Sequence, residues 1–206
     1  MREVSGKTVW DRVSPVYDTF ESALNGQVYN RTGELVAEYI DPMDEVLECA
    51  CGTGAISIFI ARKCRRLTAT DMSSNMLNRA AKKLMYCFNV RLAKADITNL
   101  KCRDERFDKV VAGNVVHLLD EPEKAVQGLM RVCKTGGKVI IPTYINLSNN
   151  MSRASMKALS AAGLRFKKEF DLDSYKQFFA DMGYPDAEFI VAEGRFPCAI
   201  AVITKK

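Results

Sequence analysis

Val46-Leu47-Glu48-Cys49-Ala50-Cys51-Gly52-Thr53-Gly54 is the stretch that decides the fold. An apolar run that ends in glycines and leads into an apolar helical pattern reads as a buried strand entering a glycine loop and then a helix. Glycines at such a turn let a ligand come close to the backbone, and the helix start beyond offers free N–H groups. Glu48 narrows the choice of ligand. A dinucleotide or nucleoside triphosphate would bring phosphate against this carboxylate and be repelled. Ser57 also stands where a dinucleotide loop would carry its third glycine. The loop suits a ligand with positive charge and no phosphate.

Working outward, Leu67 to Asp71 reads as a second strand ending in a carboxylate, about one βαβ repeat on. An acidic side chain at that place can bind both hydroxyls of a ribose. Thr70-Asp71-Met72-Ser73 is also rich in capping residues, so Asp71 has a second possible role as N-cap of a helix over Ser73 to Leu84. A third strand, Val90 to Ala95, ends at Asp96, and a fourth, Phe107 to Ala112, ends near Asn114. A ribose-binding carboxylate and a cationic, phosphate-free centre together fit S-adenosylmethionine.

Lys134 to Gly137 reads as a turn, with a fifth strand over Lys138 to Tyr144. Strands alternating with helices imply right-handed crossovers and a doubly wound parallel sheet of Rossmann-like α/β type, with its ligand edge at the strand C-termini. Ahead of this core, Trp10, Val13, Val16-Tyr17 and Phe20 recur at helical spacing, and Arg31 to Ile40 is amphipathic. Behind it, Met151 to Ala162 and Asp173 to Met182 read as helices stopped by Gly163 and Gly183. Glu188 to Glu193 and Cys198 to Thr204 read as two closing strands.

The chain has 206 residues, 48% apolar and 27% charged, which fits one globular domain with a full core. No apolar run approaches the roughly 20 residues of a membrane span, and no signal-type segment is visible, so a cytoplasmic protein is expected. Seven cysteines without paired CxxC spacing imply no zinc site. Cys49 and Cys51, two apart, would share one face of a strand as small core residues. The net charge is +5. The cluster Arg62-Lys63-Cys64-Arg65-Arg66 reads as a solvated helix end, and Arg165 to Lys168 as the possible rim of a substrate mouth. No nucleic-acid partner is expected.

With ECACGTG (48–54), TDMSSNML (70–77), KADITNL (94–100), AGNVVHLLDEP (112–122) and LMRVCKTGGKVII (129–141) in this order, the chain resembles the class I S-adenosylmethionine-dependent methyltransferases. The likeness is to the small-molecule branch that holds the ubiquinone and menaquinone methyltransferases, and it runs from about Trp10 to the C-terminus. It implies a seven-stranded sheet closed by an antiparallel hairpin. It also implies S-adenosylmethionine as methyl donor, S-adenosylhomocysteine as product, and direct displacement by an O, N, S or C nucleophile of a small molecule.

The resemblance assigns roles as well. Gly52 and Gly54 would let the methionine part lie along the loop, with Ala50 a mild replacement for the first glycine. Glu48 would orient the loop and face the cationic end. Asp71 would take the ribose, Met72 would pack on the adenine, and Asp96 would accept from the adenine amino group, with the Ile97 N–H near the ring. Asn114 would stand near the methyl group, and Tyr17 would belong to a lid. His117, the only histidine, corresponds to the first of a pair of histidines often seen here; Leu118 takes the second place. It is either a general base or a residue that fixes its loop.

Residues 1–40 would form a helical lid, 41–144 the cofactor core, 145–173 a substrate-side insertion, and 174–206 the closing helix and hairpin. Asn114-Val115-Val116-His117 lacks the Asn/Asp-Pro-Pro-aromatic stretch of enzymes that methylate exocyclic base amines. An RNA or protein methyltransferase, or a non-catalytic S-adenosylmethionine-binding protein, are the alternatives, in a monomer or homodimer.

Overall fold

Val46, Leu47 and Cys49 are fully buried, as a strand covered on both faces must be. The computed structural model describes residues 26–146, 167–194 and 196–206. In chain order these form helix α1 (26–37), β1 (Glu45–Cys49), α2 (Ser57–Ala61), β2 (Arg66–Asp71), α3 (Ser74–Lys83), β3 (Val90–Lys94), β4 (Phe107–Ala112), α4 (Pro122–Val132), β5 (Cys133–Tyr144), α5 (Leu172–Asp181), β6 (Glu188–Ala192) and β7 (Cys198–Thr204). Single 3₁₀ turns stand at Ile97–Asn99 and Val116–Leu118.

The seven strands make one sheet in the order β3-β2-β1-β4-β5-β7-β6. The first five are mutually parallel, and β7 is antiparallel to both β5 and β6. The expected α/β class and closing hairpin are therefore present. The chain winds outward from β1 to β3 and then returns across β1 to β4. The crevice beyond the C-terminal ends of β1 and β4 is the place where such a sheet opens for a ligand.

Each face of the sheet has its own core. Leu47, Cys49, Val110 and Ala112 pack with Val126 and Leu129 of α4 and with Tyr175, Phe178 and Phe179 of α5. Val46, Val111 and Ile140 pack with Val36 of α1 and Ile60 of α2. Part of the segment expected to be a lid, residues 26–40, is thus core: Val28, Leu35, Val36 and Ile40 are buried in this second cluster.

Local chemistry sets the helix ends. Ser73 is the N-cap of α3, its side chain accepting from Met76 N at 3.1 Å, so this cap falls to the serine and not to Asp71. Asp171 and Ser174 form a reciprocal capping box at α5. Buried Tyr175 donates its hydroxyl to Ile141 O at 2.7 Å, which locks α5 onto β5.

One boundary differs from expectation. Residues 134–137 are not a turn before β5 but an irregularity within it, since β5 pairs with β4 at Phe107–Cys133 and again at Lys109–Lys138. Gly136 N donates to Lys205 O, and Lys205 N donates to Gly137 O, so the freed backbone groups find partners across the strand. A Cβ on Gly137 would stand 2.5 Å from Asp108 O and 2.9 Å from Lys134 O. Because the obstacles are backbone, Gly137→Ala is expected to cost about 2–3 kcal/mol, read as a lower urea midpoint at unchanged slope.

Candidate functional site

At the switch point a cavity of about 360 Å³ opens between the ends of β1, β2, β3 and β4. Its walls bring together Ala50, Gly52, Asp71, Met72, Asp96, Ile97 and Asn114, seven of the residues expected to hold a cofactor. Its volume suits a small organic ligand.

Asp71 ties the two halves of the cavity. One carboxylate oxygen accepts from Gly52 N at 2.9 Å, the other from Ser73 N at 2.8 Å. A carboxylate held by backbone N–H groups has fixed direction and keeps lone pairs for a ligand hydroxyl. Met72, next in sequence, is half exposed on the wall, an apolar side chain presented at the cavity. Asp96 caps its own turn, accepting at one oxygen from Thr98 N at 2.8 Å and Thr98 Oγ1 at 2.7 Å. The second oxygen remains for a donor in the cavity. Asn114 holds its place with φ 54° and an N–H bond to Pro142 O at 2.8 Å.

The glycine loop is more differentiated than the sequence suggested. Gly52 has φ 54° and open space beyond its Cα, as a backbone facing a ligand needs. Gly54 is not on the cavity wall. Its missing side chain admits α3 instead, because a Cβ there would stand 3.1 Å from Leu84 and 3.3 Å from Ala80. Ala50 adopts φ 54°, a left-handed conformation costly for any residue with a Cβ. The replacement of glycine by alanine is therefore a strained one. Ala50→Gly is expected to raise stability by about 1 kcal/mol, read as a higher thermal midpoint.

The same left-handed residue breaks the alternation of the strand. Cys49 packs in the core on one face of the sheet and Cys51 in the core on the other, so the two do not share a face. Burial pushes the Cys49 thiol up to about 12 and the Cys51 thiol up as well. Among the described residues no group of histidines, cysteines or carboxylates is arranged to hold a metal.

Glu48 lies beneath the loop, not in it. Its side chain is buried and absent from the cavity wall, and Ser57 Oγ donates to it at 2.5 Å. Burial raises this carboxyl to about 8. It positions the strand–loop–helix junction from within and is not part of the cavity wall. His117 is likewise buried and off the wall. Burial lowers its imidazole to about 4, so it is neutral near pH 7. Its carbonyl accepts from Lys167 N at 2.9 Å and Lys168 N at 3.2 Å, a loop-fixing position. Tyr17 lies outside the described residues.

Sequence reasoning placed Asn114 and Val115 near the methyl group, and Val115 does line the cavity. It passed over the rest of the fourth strand's outgoing loop, where Gly113, Leu118, Leu119, Asp120 and Glu121 line it as well. The signal was present in the position of this run at the switch point, next to Asn114.

Comparison with known proteins agrees with this geometry. Residues 46–137 match a family model described as a methyltransferase domain. A demethylmenaquinone methyltransferase of Clavibacter sepedonicus is 32% identical over 137 residues, 65% of this chain and 55% of that protein, so the chain spans about half the length of that relative. A demethylmenaquinone methyltransferase of Renibacterium salmoninarum is 27% identical over 202 residues, 88% of this chain and 84% of that protein. The solved structure of a putative S-adenosylmethionine-dependent methyltransferase from Methanococcus maripaludis covers 100% of this chain and matches over 97% of its own, with TM-score 0.70 and 19% identity, a likeness of fold. The strand order, the acidic strand ends around one cavity and these matches agree: residues 46–137 form a methyltransferase domain, within the fold of the class I S-adenosylmethionine-dependent methyltransferases.

Proposed function

We propose that the methyl acceptor is an apolar aromatic small molecule of quinol type. The observation that carries this reading is the cavity wall beyond Asn114, where Val115, Leu118 and Leu119 offer an apolar surface. The relatives named above, demethylmenaquinone methyltransferases, support it.

In this reading Asp71 holds the ribose hydroxyls, and Met72 and Ile97 enclose the adenine. Asp96 accepts from the adenine amino group, and the backbone at Ala50 and Gly52 carries the methionine part. When bound, S-adenosylmethionine supplies a methyl group already activated on sulfur. The chain's own task is then alignment of the acceptor and exclusion of water. His117, buried and neutral, fixes the loop that carries the apolar wall and takes no part as a base. The segments expected to form the lid (1–40) and the substrate side (145–173) lie in part outside the described residues. Among the described residues no helix is long and apolar enough to cross a membrane. The enzyme works in the cytoplasm as a monomer or homodimer.

The test is incubation with S-adenosylmethionine labelled in its methyl group and a prenylated naphthoquinol, with a catechol, a thiol and a primary amine as controls. Label in the naphthoquinol supports the assignment. Label only in a control, or in none of the four, overturns it, while calorimetric titration with S-adenosylmethionine separately reads the cofactor site.

A further inference from the structure

The charges of this chain are unevenly placed. Residues 61–103 hold eleven lysines and arginines but only two carboxylates, Asp71 and Asp96, and both carboxylates line the cavity. The remainder of the chain is net negative. The basic residues gather along the β3 edge of the sheet, which pairs only with β2. Arg62, Lys63, Arg66, Lys82, Arg91 and Lys94 are all exposed. Among the described residues, Arg65 pairs with Glu45, and no ion pair joins any of those six.

An apolar loop stands on the same flank. Between α3 and β3, Leu84 is buried and Cys87 packs against the core, which anchors the backbone. Met85, Tyr86 and Phe88 point the other way, 61%, 80% and 95% exposed. Asn89 Nδ2 donates to Ala61 O at 2.8 Å and Cys64 O at 3.0 Å, fastening this loop to the basic turn at 62–66. Large apolar side chains left this open on an anchored loop are a binding feature, not a core defect.

We propose that the β3 flank docks on an anionic lipid surface, with Met85, Tyr86 and Phe88 entering the headgroup layer and the surrounding cations meeting lipid phosphates. Each lysine or arginine near such a surface adds attraction, and apolar side chains add insertion. A nucleic-acid backbone would satisfy the cations but leave Met85 and Phe88 in water. A second copy of this chain would set like charges against each other along β3. An anionic bilayer meets both features at once. The inference stands whatever the acceptor of the methyl group is.

Sedimentation of the purified protein with vesicles tests this. Binding is expected to vesicles containing phosphatidylglycerol and not to pure phosphatidylcholine, and to weaken at least tenfold between about 0.1 M and about 0.5 M salt. Tyr86→Ser with Phe88→Ser is expected to weaken it at least tenfold at unchanged charge, and Lys63→Glu with Arg66→Glu to do the same. Both variants should keep wild-type S-adenosylmethionine affinity and thermal midpoint, since the changed side chains are exposed and off the cavity. Absence of binding, equal binding to both vesicles, or equal binding by the variants overturns the proposal. So does displacement from vesicles by a single-stranded RNA whose own binding needs Phe88.

Discussion

Asp71→Ala is expected to weaken S-adenosylmethionine binding about 100-fold and to lower stability by about 3 kcal/mol. Two effects combine. The ligand loses charge-assisted hydrogen bonds to its ribose, each worth about 1.5–3 kcal/mol. The protein loses the acceptor for Gly52 N and Ser73 N, which lie at the junction of the glycine loop and the start of α3. Buried N–H groups without a partner are destabilising in themselves. Asp71→Asn separates the two effects. The amide keeps the volume and one acceptor, so it should recover part of the stability while affinity stays well below wild type. Calorimetric titration reads the affinity and urea unfolding the stability. Wild-type affinity in the alanine variant would remove Asp71 from the ligand site altogether.

Glu48 gives the second large effect, on pH. Its carboxyl is held near 8 in the folded protein by burial, against 4.5 as the ordinary value. Below pH 4.5 it is protonated in both states and its contribution to stability is complete. Between about 4.5 and about 8 the unfolded chain has released the proton and the folded protein has kept it. Each pH unit in that window therefore costs up to about 1.4 kcal/mol. Above 8 the loss is finished. Asp108 and Asp171, held low by Lys134 and by the Ser174 hydrogen bonds respectively, act with opposite sign below this window.

Glu48→Gln keeps an acceptor for the Ser57 hydroxyl and cannot titrate. His117, lowered to about 4 by burial, adds stability as pH rises to about 6.5 in both proteins. The variant should therefore gain stability up to about pH 6.5 and stay flat from there to 8, where the wild type falls. Parallel curves for the two proteins would show that Glu48 is already ionised in the folded state. Urea midpoints across the pH range decide this.

These two carboxylates also show what could be read from the chain and what could not. Asp71, Asp96 and Asn114 end strands whose period and spacing are local signals, and the sheet order carries all three to one cavity. The bounds of β4 and β7 follow from the same local signals. Glu48 ends a strand too, but its direction depends on Ser57, nine residues on, and on α2 lying over it. Ala50 defeats any pattern-based reading, since alanine gives no hint of a left-handed backbone; the cysteines beside it fall on opposite faces for that reason. Gly54 looks like a ligand glycine, yet its role is set by α3, thirty residues of chain away at Leu84. For His117 the sequence leaves a base and a loop-fixing residue equally open, because burial within its turn is not a local signal.

The sheet order has a consequence for how the protein is made. β6 emerges from the ribosome before β7, yet β7 lies between it and β5. The parallel strands β1 to β5 can assemble as soon as they are synthesised, but β6 has no neighbour until the next strand exists. The two must join the sheet together, as a hairpin added last to the free side of β5, and until that moment the long apolar edge of β5 is open to any strand that reaches it first.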